Sequence, residues 1–198
     1  MQKPSPSEPR LGQRLSYVAG VAALFWLLEL VDRLLLDGAL DNYGIRPRTT
    51  DGLWGIPLAP FLHGDFAHLA SNTIPFVVLG GLVAMRGLAE FCEVSLVVVI
   101  VGGLGTWLFG ESGTVHIGAS GLVFGYFGCL TARGFLEANV VSILVGLLVL
   151  FLYGGIVWGV LPTQPGVSWQ GHLFGLLSGA AAGWILTRLG QRKAPFVE

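Results

Sequence analysis

The sequence predicts an all-α membrane protein, a bundle of six transmembrane helices with both termini in the cytoplasm. Of its 198 residues, 53% are hydrophobic and 12% are charged, and the mean hydropathy is +0.71. A typical soluble domain has about a quarter charged residues, so this chain has too few to cover a soluble surface. Six apolar segments each approach the roughly 17–25 residues that cross a bilayer. The length suits one domain, since domains commonly have about 100–200 residues.

The six apolar segments lie at residues 15–36, 66–86, 91–109, 116–133, 139–160 and 172–188. We therefore expect a cytoplasmic tail at 1–14, one membrane domain at 15–188 and a second tail at 189–198. The first tail is polar and rich in proline, which is typical of a disordered segment. A signal peptide is the alternative interpretation of the first segment, but no small-x-small cleavage motif follows it, so an uncleaved span is favoured.

The connection at 37–65 is too apolar for a flexible linker, although it contains several prolines and glycines. We expect it to lie on the membrane surface with Trp54 at the level of the headgroups. Just before it, Glu29 and Arg33 are four residues apart on one helical face and are expected to pair.

The distribution of basic residues predicts the orientation. The tails and the even-numbered connections hold Lys3, Arg10, Arg14, Arg86, Arg133, Arg188, Arg192 and Lys193, and the opposite side holds Arg33, Arg46 and Arg48. Because basic residues concentrate in cytoplasmic loops, both termini are expected in the cytoplasm. The expected location is the cell membrane.

This orientation brings four polar side chains to one depth of the membrane. His68 and Asn72 open the second segment, Ser120 opens the fourth and His172 opens the sixth. Polar groups inside spans are costly and indicate a functional site by default. A serine with a histidine available as base is the minimum equipment for nucleophilic acyl chemistry.

Glycines predict that the fourth and sixth spans pack closely. They recur at every fourth residue, at Gly171, Gly175, Gly179 and Gly183 of the sixth segment and at Gly121 and Gly125 of the fourth. Facing stripes of glycine let two helix backbones come close together. His172 should therefore face the fourth span and meet Ser120. Alone, the glycines would indicate only packing and the histidine only an interior side chain.

Together these motifs resemble those of the rhomboid intramembrane serine proteases. The motifs are Gly118-Ala119-Ser120-Gly121 on the fourth span, His172 with Gly175 and Gly179 on the sixth, His63, His68 and Asn72 before and in the second, and Arg133-Gly134 at the end of the fourth. The resemblance covers about residues 15–188 and implies a six-helix rhomboid-like bundle. The chain departs from the family in lacking an adjacent Trp-Arg pair in its long connection, where Arg46-Pro47-Arg48 and Trp54 offer similar chemistry.

The resemblance implies a serine endopeptidase that cleaves transmembrane segments of membrane proteins. Ser120 would be the nucleophile, and His172 would be the general base and then the general acid. His68 and Asn72 would stabilise the oxyanion, together with the backbone at Ser120 and Gly118.

Three further residues have roles that the resemblance suggests. Phe124 stands where many relatives carry a tyrosine that stacks on the catalytic histidine. His63 either holds the loop before the second span or is an interfacial histidine. His116 either caps the loop before Ser120 or faces water. The fifth span is a candidate side gate for substrate.

Other functions fit the sequence less well. A net charge of −1 argues against nucleic acid as a partner. No HExxH motif is present, and His63 and His68 are five apart, so no metal site or cofactor is predicted. The remaining alternatives are a catalytically inactive rhomboid-like protein that binds membrane clients and, with less support, a small transporter.

Overall fold

The computed structural model describes residues 9–137, 139–164 and 166–193. Its six long helices are α1 (Leu11–Val31), α2 (Phe66–Arg86), α3 (Leu88–Phe109, including a π turn at Val98–Gly102), α4 (Ser120–Leu136), α5 (Val140–Tyr153) and α6 (Trp169–Lys193). A π turn at Asp32–Leu36 extends α1, and a 3₁₀ helix at Gly154–Val160 extends α5. The described residues contain no strand, only an isolated antiparallel bridge. The fold is therefore all-α.

In the described part of the chain, four helices are long and apolar enough to cross a membrane. They are α2, α3, α5 with its extension (Val140–Val160) and α6 (Trp169–Gly190). The chain is therefore an integral membrane protein. The 17 residues of α4 would extend about 26 Å, somewhat less than the hydrocarbon core of about 30 Å. Six spans and cytoplasmic termini stay predictions.

The start of the fourth helix differs from the prediction. The sequence placed the start of that span at residue 116, whereas α4 begins at Ser120. Gly118 has a φ of +110°, which is incompatible with a right-handed helix, and His116 pairs with Ile45 in the antiparallel bridge. Residues 116–119 therefore form a loop of defined conformation and not the first turn of the helix.

The outer limits of the bundle also differ from the prediction. Helix α1 begins at Leu11 rather than at residue 15, and α6 continues to Lys193, past residue 188. Residues 1–8 of the first predicted tail and residues 194–198 of the second lie outside the described residues.

Side-chain caps fix the starts of two helices. The Asp65 carboxylate accepts a hydrogen bond of 2.6 Å from the backbone N–H of His68 at the start of α2. The Asn139 side chain accepts one of 2.9 Å from the Ser142 N–H at the start of α5. Such caps satisfy amides that have no partner within the helix. The first cap holds the turn of α2 that carries His68.

Helix α4 lies at the centre of the bundle and packs most closely against α6. Gly175 lies against the backbone of Gly121, and Gly179 lies against the backbone of Gly125, so closely that a Cβ atom on either residue of α6 would overlap a carbonyl oxygen of α4. The predicted close packing is confirmed. It brings the start of α6, which carries His172, against the start of α4.

At the opposite end of α4, ion pairs join three helices. Arg133 pairs with Glu90 of α3 at 2.7 Å and with Glu137 just beyond α4, and Arg86 of α2 also pairs with Glu137 at 2.6 Å. The adjacent Gly134 lies against Gly146 of α5, where a Cβ atom would be 2.8 Å from the Gly146 Cα. The Arg-Gly motif therefore holds α3, α4 and α5 together at this end.

The long connection between α1 and α2 is a compact set of short helical turns at Ala39–Tyr43, Asp51–Leu53, Gly55–Leu58 and Ala59–Phe61. Arg48 fastens it to the end of α3, because its guanidinium donates to the carbonyls of Leu108 and Gly110 at 2.8 Å. Trp54 is 76% exposed, which suits a side chain at the membrane surface.

Candidate active site

One cavity of about 970 Å³ is lined by all four polar side chains that the sequence placed at one depth. His68 and Asn72 come from α2, Ser120 from the start of α4 and His172 from the start of α6. The 3₁₀ helix after α5 supplies another wall through Gly159. Residues far apart in the sequence thus meet in one space large enough for a peptide segment.

The loop before α4 sets the position of Ser120. The Gly118 N–H donates to the Ala59 carbonyl at 2.9 Å, and the Ala119 N–H donates to His63 Nε2 at 3.3 Å. Ser120 follows as the first residue of α4, where amides have no intrahelical partner. Among the described residues, nothing accepts a hydrogen bond from the Ser120 N–H. That amide is free to bind an anionic oxygen.

Two contacts fix the His172 ring. Its Nδ1 lies 2.9 Å from the Gly159 carbonyl oxygen, which can only accept, so Nδ1 carries the hydrogen and Nε2 is left as a free base. The Phe124 ring stacks on it almost in parallel, with ring centroids 4.1 Å apart and planes 9° apart. Within the described residues, no hydrogen bond joins His172 to the Ser120 hydroxyl. Hydrogen bonds of this kind often form only when substrate binds.

His68 and Asn72 lie together beside Gly118. The Asn72 side-chain amide donates one hydrogen to the His68 carbonyl at 3.0 Å, which leaves its second hydrogen available. A Cβ atom on Gly118 would lie 2.8 Å from the His68 ring and 3.8 Å from the Asn72 Nδ2. Glycine at position 118 therefore permits both the positive φ and the close approach of His68.

The prediction for Gly118 needs correction. Its backbone was expected among the oxyanion donors, but its N–H is already bonded to the Ala59 carbonyl. Gly118 instead makes room for the His68 ring. Among the described residues, hydrogen-bonding capacity beside this loop remains at the Asn72 amide, the His68 ring and the Ser120 N–H.

His63 is a buried structural residue, so its interpretation as an interfacial histidine is wrong. It is 0% exposed, and its ring lies 5.3 Å from that of His68, edge to face. Burial lowers its pKa from 6.5 to about 4, with a smaller contribution from His68. The neutral ring accepts the Ala119 N–H and so holds the residue before Ser120.

We expect His63 to make the folded protein sensitive to acid. Because its pKa is about 4 in the folded protein and about 6.5 when exposed, unfolding takes up a proton between these values. The free energy of unfolding should therefore decrease by about 3 kcal/mol in total as the pH falls from about 6.5 to about 4. Denaturant unfolding at a series of pH values measures this loss, and His63→Gln should flatten it. Equal pH slopes for the two proteins would contradict the prediction.

His116 is also part of the loop structure, and its side chain is buried. Its Nδ1 lies 2.6 Å from the Ser168 hydroxyl and its Nε2 lies 2.9 Å from the Thr114 hydroxyl. Ser168 in turn accepts from the Gly171 N–H at 3.2 Å. Burial lowers the pKa of His116. This chain of hydrogen bonds ties the loop before α4 to the start of α6.

Sequence analysis missed two residues of this site. Gly159 supplies the carbonyl that orients His172, and Ser168 links His116 to α6. A backbone carbonyl leaves no signal in the residue type. Ser168 stands just before an apolar run, where serine is a common helix cap, and that position could have identified it.

The helices and the cavity define a class: an integral membrane protein in which a serine at a helix start and an oriented histidine line one polar cavity. The Rhomboid domain family matches residues 50–189. An uncharacterised protein of Mycobacterium bovis is 47% identical over 180 residues, which cover 87% of this chain and 74% of the relative. One of Mycobacterium leprae is 44% identical over 194 residues, covering 91% and 76%.

A more distant relative has a functional name. YdcA of Bacillus subtilis, whose name places it provisionally among the rhomboid proteases, is 25% identical over 191 residues, covering 93% of this chain and 94% of the relative. The chain belongs to the rhomboid family.

Proposed function

We propose that this protein is an intramembrane serine endopeptidase that cleaves transmembrane segments of membrane proteins by a Ser120–His172 dyad. The observation that carries the proposal is the cavity shared by Ser120, His172, His68 and Asn72. A rhomboid family assignment and an oriented histidine without a carboxylate partner among the described residues also support it.

The proposed reaction uses the atoms of this cavity. His172 Nε2 takes the proton of the Ser120 hydroxyl as the oxygen attacks the substrate carbonyl. The negative oxygen then receives hydrogen bonds from the Ser120 N–H, Asn72 and His68. As the C–N bond breaks, His172 gives its proton to the leaving amine, and an acyl group remains on Ser120. Water, activated by His172, then releases the acid and restores the serine.

Substrate would reach the cavity from the lipid. A transmembrane substrate must unwind locally to expose a carbonyl, because its backbone hydrogen bonds are satisfied within the helix. In the apolar stretch of α5 and its extension, 17% of the residues are buried, the smallest share among the four apolar helices, which favours it as the side gate. Crosslinking α2 to α5 should block cleavage, and retained cleavage would contradict this gate.

The proposal includes a topology. The remaining helices, α1 and α4, also cross the bilayer, which gives six spans. The protein lies in the cell membrane, with both termini in the cytoplasm. The central position of α4 among the four apolar helices supports its place in the membrane. Reporter fusions at the two termini test the orientation, and a signal from the non-cytoplasmic side of the membrane at either end would contradict it.

A fluorophosphonate probe tests the proposed activity. Purified protein in detergent should become labelled, and Ser120→Ala and His172→Ala should lose the label. Ser71→Ala is the matched control, because Ser71 is exposed and lines the same cavity but is not one of the reacting groups of the proposal. Label that persists in Ser120→Ala would overturn the assignment. A folded wild type that neither takes label nor cleaves a transmembrane substrate in liposomes would instead favour a client-binding protein.

We expect Gly159→Ala to impair the reaction through His172. A Cβ atom at this position would lie 2.9 Å from Phe124 Cζ and 3.1 Å from His172 Nδ1, so the ring must move. A displacement of about 1 Å can cost about 100-fold in rate, and we expect a loss of about 10- to 100-fold in the labelling rate. Gly155→Ala, in the same 3₁₀ helix with no neighbouring atom within 4 Å, should label normally. Equal rates for both variants would contradict the role of Gly159.

A further inference from the structure

Three acidic side chains meet where α1 ends and the connection to α2 begins, away from the proposed dyad. One carboxylate oxygen from each of Glu29, Asp32 and Asp41 lies within 4.8 Å of the corresponding oxygens of the other two residues. Glu29 and Asp32 are each 2% exposed. Buried carboxylates are costly unless a cation or hydrogen-bond donors compensate them.

The protein compensates these carboxylates only in part. Arg33 pairs with Glu29 Oε1 and with Asp41 Oδ2, each at 2.9 Å. Asp32 Oδ1 accepts the Leu40 N–H at 2.9 Å. Asp32 Oδ2 is buried and has no hydrogen-bond partner. In the described part of the chain, each carboxylate thus keeps one oxygen outside these hydrogen bonds.

The balance of charge indicates the ligand. Three ionised carboxylates and the Arg33 guanidinium sum to −2, and Arg33 is the one cation that pairs with them among the described residues. A divalent cation would bring this sum to zero. Carboxylate oxygens suit hard cations such as Ca²⁺ and Mg²⁺.

We propose that Glu29, Asp32 and Asp41 bind a calcium ion. Ca²⁺–O distances of about 2.3–2.6 Å let two ligands of one ion lie up to about 5 Å apart, which accommodates the spacing of the three side chains. Calcium accepts irregular coordination, whereas Mg²⁺ demands near-octahedral geometry. The site combines side chains from a helix, a π turn and a 3₁₀ turn, which favours the more tolerant ion. Water can complete the coordination on the side of Asp41, the most exposed of the three.

Calcium would stabilise the connection between the first two helices. The chain reverses at Asp37 and Gly38, which have φ values of 53° and 77°, and folds back so that the Gly38 N–H bonds the Asp32 carbonyl at 3.2 Å. The ion would hold Asp41 to this turn. The ion would lie beside Arg33, which also donates to the carbonyls of His63 and Gly64 just before α2. The site therefore supports the start of α2 without touching the dyad.

The test measures calcium binding to the full-length protein in a non-ionic detergent after removal of metal with EDTA. Equilibrium dialysis with radioactive Ca²⁺ should give one ion per chain, and saturating Ca²⁺ should raise the Tm by about 5 °C. Asp32→Asn keeps the size of the side chain and the acceptor for Leu40, and it should lower the calcium affinity at least tenfold. Asp41→Asn, at a more exposed position, should do the same and provides a second variant if Asp32→Asn does not fold.

Asp51→Asn is the matched control, since Asp51 is an exposed acid in the same connection, outside the cluster. It should bind calcium as the wild type does. Absence of binding at millimolar Ca²⁺ would overturn the proposal, and so would equal affinity in all three variants. A Tm shift with Mg²⁺ as large as that with Ca²⁺ would overturn the assignment to calcium. None of these measurements depends on proteolysis.

Discussion

Replacing His172 by alanine is expected to lower kcat for cleavage of a transmembrane substrate by about 10⁴-fold or more, because the base and the acid of both steps are lost together. The Gly159 carbonyl and the Phe124 ring hold this imidazole in place. Cleavage assays in liposomes measure the loss.

Imidazole added to the His172→Ala variant sharpens this test. The substitution leaves a space beside Phe124 in a cavity of about 970 Å³, where free imidazole can stack. Partial recovery of cleavage with imidazole, and not with an aliphatic amine of similar pKa, would show that the missing group is the base. Ser71→Ala should cleave at the rate of the wild type. Full activity in His172→Ala would refute the dyad.

The second large effect is expected from Gly179→Ala, which should lower the free energy of unfolding by about 3 kcal/mol, as overpacking of a tight interface does. The new Cβ atom would overlap the carbonyl oxygen of Gly125. Neither backbone can yield without moving α6 away from α4. The same movement would take His172 from Phe124, so activity should fall as well. Unfolding in mixed micelles measures the change in stability.

Two alanine variants provide the controls for Gly179→Ala. A Cβ atom on Gly20, in α1, would meet no atom within 4 Å, and one on Gly121 would lie 3.7 Å from the Gly171 carbonyl oxygen, an ordinary contact. Both variants should unfold within about 1 kcal/mol of the wild type. If Gly179→Ala is as stable as Gly20→Ala, the close packing of α4 and α6 does not limit stability.

The helices themselves could be predicted from the sequence because their signals are local. Each apolar run has a length set by the bilayer, and a four-residue spacing maps directly onto one face of a helix. This spacing predicts that Gly175 and Gly179 share one face and that Glu29 can pair with Arg33, and the structure shows both. The meeting of Ser120 and His172 in one cavity is expected from the facing glycine stripes together with the common depth of the two residues.

The irregular segments could not be predicted in this way, because the partner of each backbone group there lies far away in the sequence. Gly118 is expected from sequence to donate to substrate, but the connection before α2 brings the Ala59 carbonyl to its N–H. Likewise, only the packing of α5 brings the Gly159 carbonyl to His172.

The sequence by itself determined the class of fold, the helices that carry the polar residues and the identity of the candidate dyad, since helical periodicity converts spacing into position. The tertiary structure alone decided which groups are already bonded and which are left free. It buried His63 against the loop before Ser120 and gathered Asp41 with Glu29 and Asp32. Hydrogen bonds and charges are satisfied in three dimensions by whichever group the fold brings near, and no local pattern records that choice.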